Sequence, residues 1–475
     1  MLAEARPSPQ LDLCVAALCF VLRCLEVFEP SIRFFDLQEL FGLAVSRHSA
    51  PPGRGCGDRR SGAGRIPTIR LTRDPSGGRA YHGIVPTQGQ VYARLEETDV
   101  DPELSWTEAE LPERERTKHV HRLHPYLGKF VPQLVEIFLR RYFAAGQTIL
   151  DPFSGSGTTL VECTTFGAHS VGVDISAFNV LLARVKTSLY NPFVIEHDLR
   201  EAVGRLDGFV GQGTAQLPLD SELIDSATAA VASSEYLQDW FAARTLAELL
   251  FYRSLLPDYD SGELMAIVLS RAARSARLTT HFGLDFPKAP QIGPYQCAKH
   301  RRTCEPTQEA YKFLRRYSLD TIKRVKDYER LRSDASVTVL HGDARDISYG
   351  VKFDGLITSP PYPGRIDYHE QHRYAYELLG LVDRRTDEIG AAAKGTSKAA
   401  VEAYTDDMIA VFTNARRHLK RGAAVVIVID DARDLYGRIV SEAGMKIVER
   451  RRRHVNRRTG RRNGEFFEEI ILAKA

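Results

Sequence analysis

"QTILDPFSGSGTTLVECTTFGAHSVGVDIS", Gln147–Ser176, decides the fold. Short apolar runs at "TIL" and "HSVGVDI" flank a helical "TTLVECTTFG", which predicts a β-α-β unit of a parallel sheet in an α/β protein. Between the first strand and the helix stand Gly155 and Gly157, where the backbone must turn sharply and come close to a ligand. The loop is not a phosphate-cradling P-loop, because no Gly-Lys-Ser/Thr follows it. Nor is a third glycine set deeper in the helix, as a dinucleotide fold would want; Leu160 and Val161 occupy that region.

Acidic residues mark the ends of the neighbouring strands. Asp174 in "GVDIS" follows the glycines by about 20 residues, the place from which a carboxylate accepts hydrogen bonds from ribose hydroxyls. The ligand implied is a nucleoside. Asp343 in "LHGDARDI" ends a later strand and is placed to accept from an adenine amino group, while Asp151 ends the first strand and would face a cationic part of the ligand. Each aspartate alone reads better as a helix N-cap. Three of them around one glycine loop favour a ligand.

Upstream, "HVHRLHPYLGKFVPQLVEIFLRRYF" sets Val131, Leu134, Val135, Phe138 and Leu139 at helical spacing, with Pro132 in the first turn. Downstream, "AFNVLLARVKTSL" predicts another helix, and residues 191–334 read as a mainly helical insertion. Strand signals resume in "SVTVLHGDARDI", "FDGLITS", "AAVVIVIDD", "MKIVERR" and "EFFEEIILAKA", the last two as antiparallel neighbours. The predicted organisation is therefore a poorly defined region 1–115, a sheet domain begun in 116–190 and completed in 335–475, and the insertion between. Within the first region, 46–78 is rich in Gly, Arg, Pro and Ser and reads as a flexible arm.

At 475 residues, 43% hydrophobic and 26% charged, the chain can bury a core for two or three domains. A net charge of +3 means that any surface for polyanions must come from local clusters of Lys and Arg. Seven irregularly spaced cysteines make no disulfide framework and point to a reducing cytoplasm. Cys297, His300 and Cys304 lie close together, but the sequence offers no fourth ligand beside them, so no metal is expected. In the apolar "LDLCVAALCFVLRCLEVF", Arg23 and Glu26 interrupt the run, which predicts a packed helix and no membrane span.

"ITSPPYPGRIDY", Ile357–Tyr368, ends a strand badly, since its prolines cannot donate to a ladder. In an open α/β sheet the ligand crevice lies beyond such strand ends. Ser359, Pro360, Pro361 and Tyr362 would then face the same pocket as the glycine loop. Prolines fix φ and leave neighbouring carbonyls without competing donors, which makes a stiff acceptor array. An exocyclic amino group of a nucleobase is a poor nucleophile because its lone pair is conjugated into the ring. Hydrogen bonds from that amino group to the Ser359 side chain and the Pro360 carbonyl would draw it towards tetrahedral geometry. Tyr362 would stack on the base, which must first leave the duplex.

"DPFSGSGTTL" and "TSPPY" resemble two motifs of the S-adenosylmethionine-dependent DNA amino-methyltransferases, and "HRLHPYLGKFVPQL" resembles the segment of that family that closes over the cofactor. The resemblance implies a Rossmann-like, seven-stranded sheet, S-adenosylmethionine as donor, and direct transfer to an exocyclic nitrogen. It carries Tyr126, Lys129 and Phe130 to the cofactor-closing segment, and Asp151, Phe153, Gly155 and Gly157 to the cofactor loop. Asp174 goes to the ribose, Asp343 to the adenine, and Ser359, Pro360, Pro361 and Tyr362 to the catalytic tip. Ser at the head of the tip is the form associated with cytosine N4, whereas adenine N6 enzymes more often carry Asp. RNA or protein-glutamine substrates are the alternatives from other classes. The motif order is similar to the family's α arrangement, except that the insertion falls before the Asp343 strand.

The expected partner is double-stranded DNA with a flipped base, in a restriction-modification setting with a cognate endonuclease. "ERRRRHVNRRTGRRNGE" packs eight arginines between Arg450 and Arg462 into a predicted loop; Arg451, Arg453, Arg457 and Arg461 are read as phosphate contacts. Arg365 and Arg373, beyond the tip, are read as contacts around the flipped base, together with Tyr368, His372 and Tyr374. Arg271, Arg274 and Arg277 recur at helical spacing and predict one basic face.

Overall fold

The computed structural model describes residues 101–211, 231–455 other than 282, 285 and 286, and 466–475. The apolar run at 11–28 and the arm at 46–78 lie outside the described residues.

Pro132 opens α1 (Pro132–Tyr142), where its missing N–H costs nothing in a first turn. The β-α-β unit follows as β1 (Thr148–Asp151), α2 (Thr158–Phe166) and β2 (His169–Asp174), and then comes α3 (Ala177–Thr187). The insertion comprises α4 (Pro192–Gly211), α5 (Glu235–Trp240), α6 (Ala243–Ser254) and α7 (Gly262–Ala276). It continues in a small hairpin, β3 (Tyr295–Cys297) with β4 (Arg302–Cys304), and ends in α8 (Tyr311–Glu329). The sheet resumes with β5 (Val337–His341) and β6 (Phe353–Thr358). Short helices α9 (Tyr368–Gln371) and α10 (Arg373–Leu379) precede α11 (Lys398–His418) and β7 (Leu419–Ile429). The chain closes with α12 (Tyr436–Glu442), β8 (Lys446–His454) and β9 (Phe467–Lys474).

The seven-stranded sheet has the order β5-β2-β1-β6-β7-β9-β8. β1 is parallel to β2 and β6, and β9 runs antiparallel between β7 and β8. This is a Rossmann-like methyltransferase sheet, with the terminal pair closing one edge as the sequence predicts. Alternation places Ile149 and Leu150 of β1 in separate buried clusters, one on each face of the sheet. The insertion shares a third cluster with α2 and α3: Val161, Phe178 and Leu182 pack with Leu199, Leu264 and Leu314. Among the described residues, no helix is long and apolar enough to cross a membrane.

Candidate active site

Strand connections diverge at β1, which leads to β2 on one side while β6 pairs with it on the other. A crevice therefore opens beyond the carboxyl ends of β1 and β6. The glycine loop enters it with Gly155 at φ 47° and Gly157 at φ 77°, left-handed backbone that glycine adopts without steric cost. A Cβ on Gly155 would lie 3.1 Å from the Tyr126 hydroxyl, and one on Gly157 would lie 2.9 Å from the Ala183 backbone. The first glycine makes room for a pocket wall, the second for the packing of α2 on α3. Gly157→Ala is expected to destabilise the protein by about 2–4 kcal/mol, from left-handed strain and overpacking together. Thermal unfolding followed by circular dichroism checks this, and an unchanged Tm would refute the packing argument.

Asp174 fixes the loop from the adjacent strand. Its Oδ2 accepts the Gly155 N–H at 2.8 Å, and its Oδ1 accepts the Ser176 N–H at 2.9 Å and Asn179 Nδ2 at 3.1 Å. These bonds use three of the roughly four acceptor positions on a carboxylate. Asp151 is buried and accepts Thr358 Oγ1 at 2.7 Å and the Phe153 N–H at 3.1 Å. Burial pushes each of these two carboxyls up to about 6, outweighing the hydrogen bonds that favour the charged form. Asp343 behaves oppositely. Burial would raise it, yet Arg345 reaches both oxygens at 2.5–3.0 Å and holds it below the usual carboxylate range. Arg345 is itself tethered to Asp407 at 2.6 Å.

Tyr126, Lys129 and Phe130 fold back to line the pocket with Asp151, Phe153 and Gly155, and Asp174 and Asp343 complete its far wall. Gly157, also expected to hold cofactor, is not in that wall. Tyr126 stacks on Tyr368 with ring centroids 5.5 Å apart and accepts Asn179 Nδ2 at 3.1 Å. Lys129 gives its Nζ to the His121 carbonyl at 2.5 Å, and burial lowers it to about 7. This bond anchors the segment.

β6 ends at Thr358 and passes directly into the tip. The Pro361 carbonyl accepts the Tyr404 hydroxyl at 3.0 Å, and Tyr362 donates to Glu468 Oε1 at 2.8 Å. Glu468 is held in turn by Arg453 at 2.7 Å. The tip is therefore fixed by residues far from it in sequence. Ser359 Oγ and the Pro360 carbonyl have no hydrogen-bond partner among the described residues. Ser359 stands in the wall shared by the cofactor pocket and a cleft of about 810 Å³, which Pro360 and Tyr362 also line.

The arginine expectations fare unevenly. Arg365 lines the cleft and pairs with Asp430 at 2.5 Å. Arg373 is not in the cleft wall; it pairs with Glu377 at 3.3 Å and lies 4.6 Å over the Tyr236 ring, tying α10 to α5. His372 and Tyr374 are buried and border the cleft from behind. Arg450–Arg453 belong to β8, which corrects the predicted loop. Arg451 is held by Asp101 at 3.0 Å and Glu449 at 2.7 Å, and Arg453, buried in the cleft wall, by Glu468, because a cation taken out of water at a sheet edge needs a paired carboxylate. Arg457 and Arg461 lie outside the described residues. The basic face expected of Arg271, Arg274 and Arg277 is also corrected. Arg271 is buried against Asp320 at 2.8 Å and Tyr317, and Arg277 is buried against the Leu284 carbonyl and Tyr374. Arg274 borders the cleft.

A family of DNA methylases matches residues 76–184, which include the glycine loop and both of its strands. The type II methyltransferase M.MjaII of Methanocaldococcus jannaschii is 35% identical over 434 residues, covering 77% of this chain and 82% of that protein. The chain belongs to the DNA amino-methyltransferase family. A second type II methyltransferase, M.MvaI of Kocuria varians, is 21% identical over 51% of the chain and 53% of its own length. Among solved structures, TrmN from Thermus thermophilus is 11% identical, covers 73% of this chain and 50% of its own, and aligns with a TM-score of 0.28.

As a DNA amino-methyltransferase, the protein takes its methyl group from S-adenosylmethionine, which supplies an electrophilic methyl when bound. The pocket fits that cofactor. Ser154 Oγ, Thr158 Oγ1 and Asn179 Oδ1 are buried pocket-lining atoms without a protein partner, and Asp174 keeps acceptor capacity. Several residues of this methyltransferase site carry no sequence signal. Asn179 bridges Asp174 and Tyr126, and Glu388 accepts the Tyr368 N–H at 2.8 Å and pairs with His369 at 2.8 Å. Lys186, wholly buried, holds the Ser156 carbonyl under the glycine loop at 2.7 Å. Only long-range packing reveals them.

Proposed function

We propose that this methyltransferase modifies the exocyclic N4 of cytosine in double-stranded DNA, as the modifying partner of a restriction endonuclease. The observation that carries the reading is Ser359, a neutral acceptor without a partner, in the wall common to the cofactor pocket and the cleft. A flipped cytosine entering the cleft would give its two amino N–H groups to Ser359 Oγ and the Pro360 carbonyl. Those bonds localise the lone pair on nitrogen, facing the methyl donor. Tyr362, oriented by Glu468, would hold the base, and Arg365 would meet the flanking phosphates. Closure of Tyr126, Lys129 and Phe130 over the pocket excludes water.

Digesting methylated DNA to nucleosides and identifying the product by mass tests this directly. N4-methylcytosine is the expected product, and N6-methyladenine alone would overturn the reading in favour of adenine. Transfer to RNA or protein in preference to DNA would remove the substrate class as well.

We further assign Asp151 to the cationic end of the cofactor and Asp174 to its ribose, and this gives a pH dependence. Both carboxyls sit at about 6, so acid neutralises them. A cationic ligand favours the ionised form, so cofactor affinity falls as pH drops through about 6, by up to about tenfold per pH unit for each group. Without cofactor the sign for stability is opposite. A carboxyl raised from 3.8 stabilises the fold below that value and loses the contribution as pH rises through about 6. Calorimetric titration of cofactor across this range checks the first effect, and affinity that strengthens in acid would dismiss Asp151 from the cationic end.

A further inference from the structure

The insertion contains a hairpin that its own packing does not explain. β3 and β4 are three residues each, and the residue each buries is a cysteine, Cys297 or Cys304. A two-stranded hairpin without an apolar face is unstable in water. Its turn holds Arg301 at φ 52°, which costs energy in a residue with a side chain. Something must hold this hairpin closed.

His300 projects from the turn and His281 arrives from the far side, 16 residues before Cys297. The ligand atoms of His281, Cys297, His300 and Cys304 all lie within 4.8 Å of one another. Cys297 Sγ is 3.5 Å from His281 Nδ1 and 3.7 Å from His300 Nδ1, and Cys304 Sγ is 3.4 Å from His300 Nδ1. Hydrogen bonding does not account for this convergence, since one imidazole nitrogen cannot serve two sulfurs with a single proton. A tetrahedral ion does. With metal–sulfur and metal–nitrogen bonds of about 2.3 and 2.05 Å, the sulfur–nitrogen edge of the tetrahedron is about 3.6 Å.

We propose that these four side chains form a structural zinc site that staples the insertion hairpin. Two thiolates and two imidazoles close the coordination shell, leaving no open position for catalysis. The spacing within the turn, Cys297-x2-His300-x3-Cys304, is that of a compact metal-binding loop. The Tyr295 hydroxyl lies 2.8 Å from His281 Nδ1, a contact that coordination through this nitrogen replaces. The ion would fix an exposed basic tip, Lys299, Arg301 and Arg302, on a segment whose Leu284 lines the cleft.

The full-length protein, purified without a histidine tag, is expected to carry about one zinc per chain by elemental mass spectrometry. Cobalt(II) in its place should give the visible absorption of a tetrahedral thiolate site. The double variant Cys297→Ser/Cys304→Ser should lose the metal, while His197→Ala on exposed α4 should keep it. Thiol protection in the wild type, which does not depend on the folding of a variant, is the second measurement. Cys297 and Cys304 should resist alkylation until a chelator is added. A chain that takes up no zinc, or cysteines that alkylate equally with and without chelator, would overturn the proposal. So would a Cys297–Cys304 disulfide, or metal kept by the double variant and lost with His121→Ala, which would place it at the buried His119, His121 and Glu162.

Discussion

Ser359→Ala is expected to lower kcat by about 100-fold, about 2.7 kcal/mol of transition-state stabilisation, while cofactor affinity stays within about threefold. In the proposed reaction the amino nitrogen gains positive charge as the methyl group is transferred, so hydrogen bonds to Ser359 Oγ and the Pro360 carbonyl would strengthen in the transition state. An interaction that grows in the transition state is lost from kcat, whereas cofactor binding does not use it. The Pro360 carbonyl survives the substitution, which keeps the loss near that of one preorganised group. Single-turnover methylation alongside calorimetric cofactor titration separates the two. A kcat within about fivefold of wild type would show that Ser359 is not an acceptor for the reacting amine.

Asp174→Ala is expected to weaken cofactor binding by at least about 100-fold. The substitution removes an acceptor from the Gly155 N–H, the Ser176 N–H and Asn179 Nδ2, so it releases the glycine loop in addition to any bond made to the ligand. Each hydrogen bond to a charged group is worth about 1.5–3 kcal/mol, and a stranded buried donor costs a similar amount. Asp174→Asn should fall between, because it keeps one acceptor and turns an amide donor towards another donor. Thermal unfolding measured beside the titration distinguishes a loosened loop from an unfolded chain. Wild-type affinity in Asp174→Ala would exclude this residue from the cofactor site.

The parts of the site legible in the sequence are those made by short stretches of backbone. "DPFSGSG" specifies its loop because only glycine enters left-handed backbone cheaply, and "SPPY" specifies a stiff acceptor because proline fixes φ within one residue. Strand and helix periods around them needed no distant partner, so the β-α-β unit and the closing antiparallel pair were equally readable. What a charged side chain does is another matter. Eight arginines within 13 residues suggested a polyanion surface, yet Arg451 is spent on Asp101, 350 residues away, and Arg453 on Glu468. Asp343 looked unpaired, and Arg345 bonds to both of its oxygens.

The sequence by itself thus determined the sheet, the glycine loop, the proline tip and the order in which they occur, because each depends on local conformational limits. The tertiary structure decided which charges are free, that Ser359 stands between pocket and cleft, and that His281 completes a tetrad begun by Cys297, His300 and Cys304. Long-range contacts set those outcomes: burial and pairing change what a side chain can offer, and neither is written within reach of the residue itself.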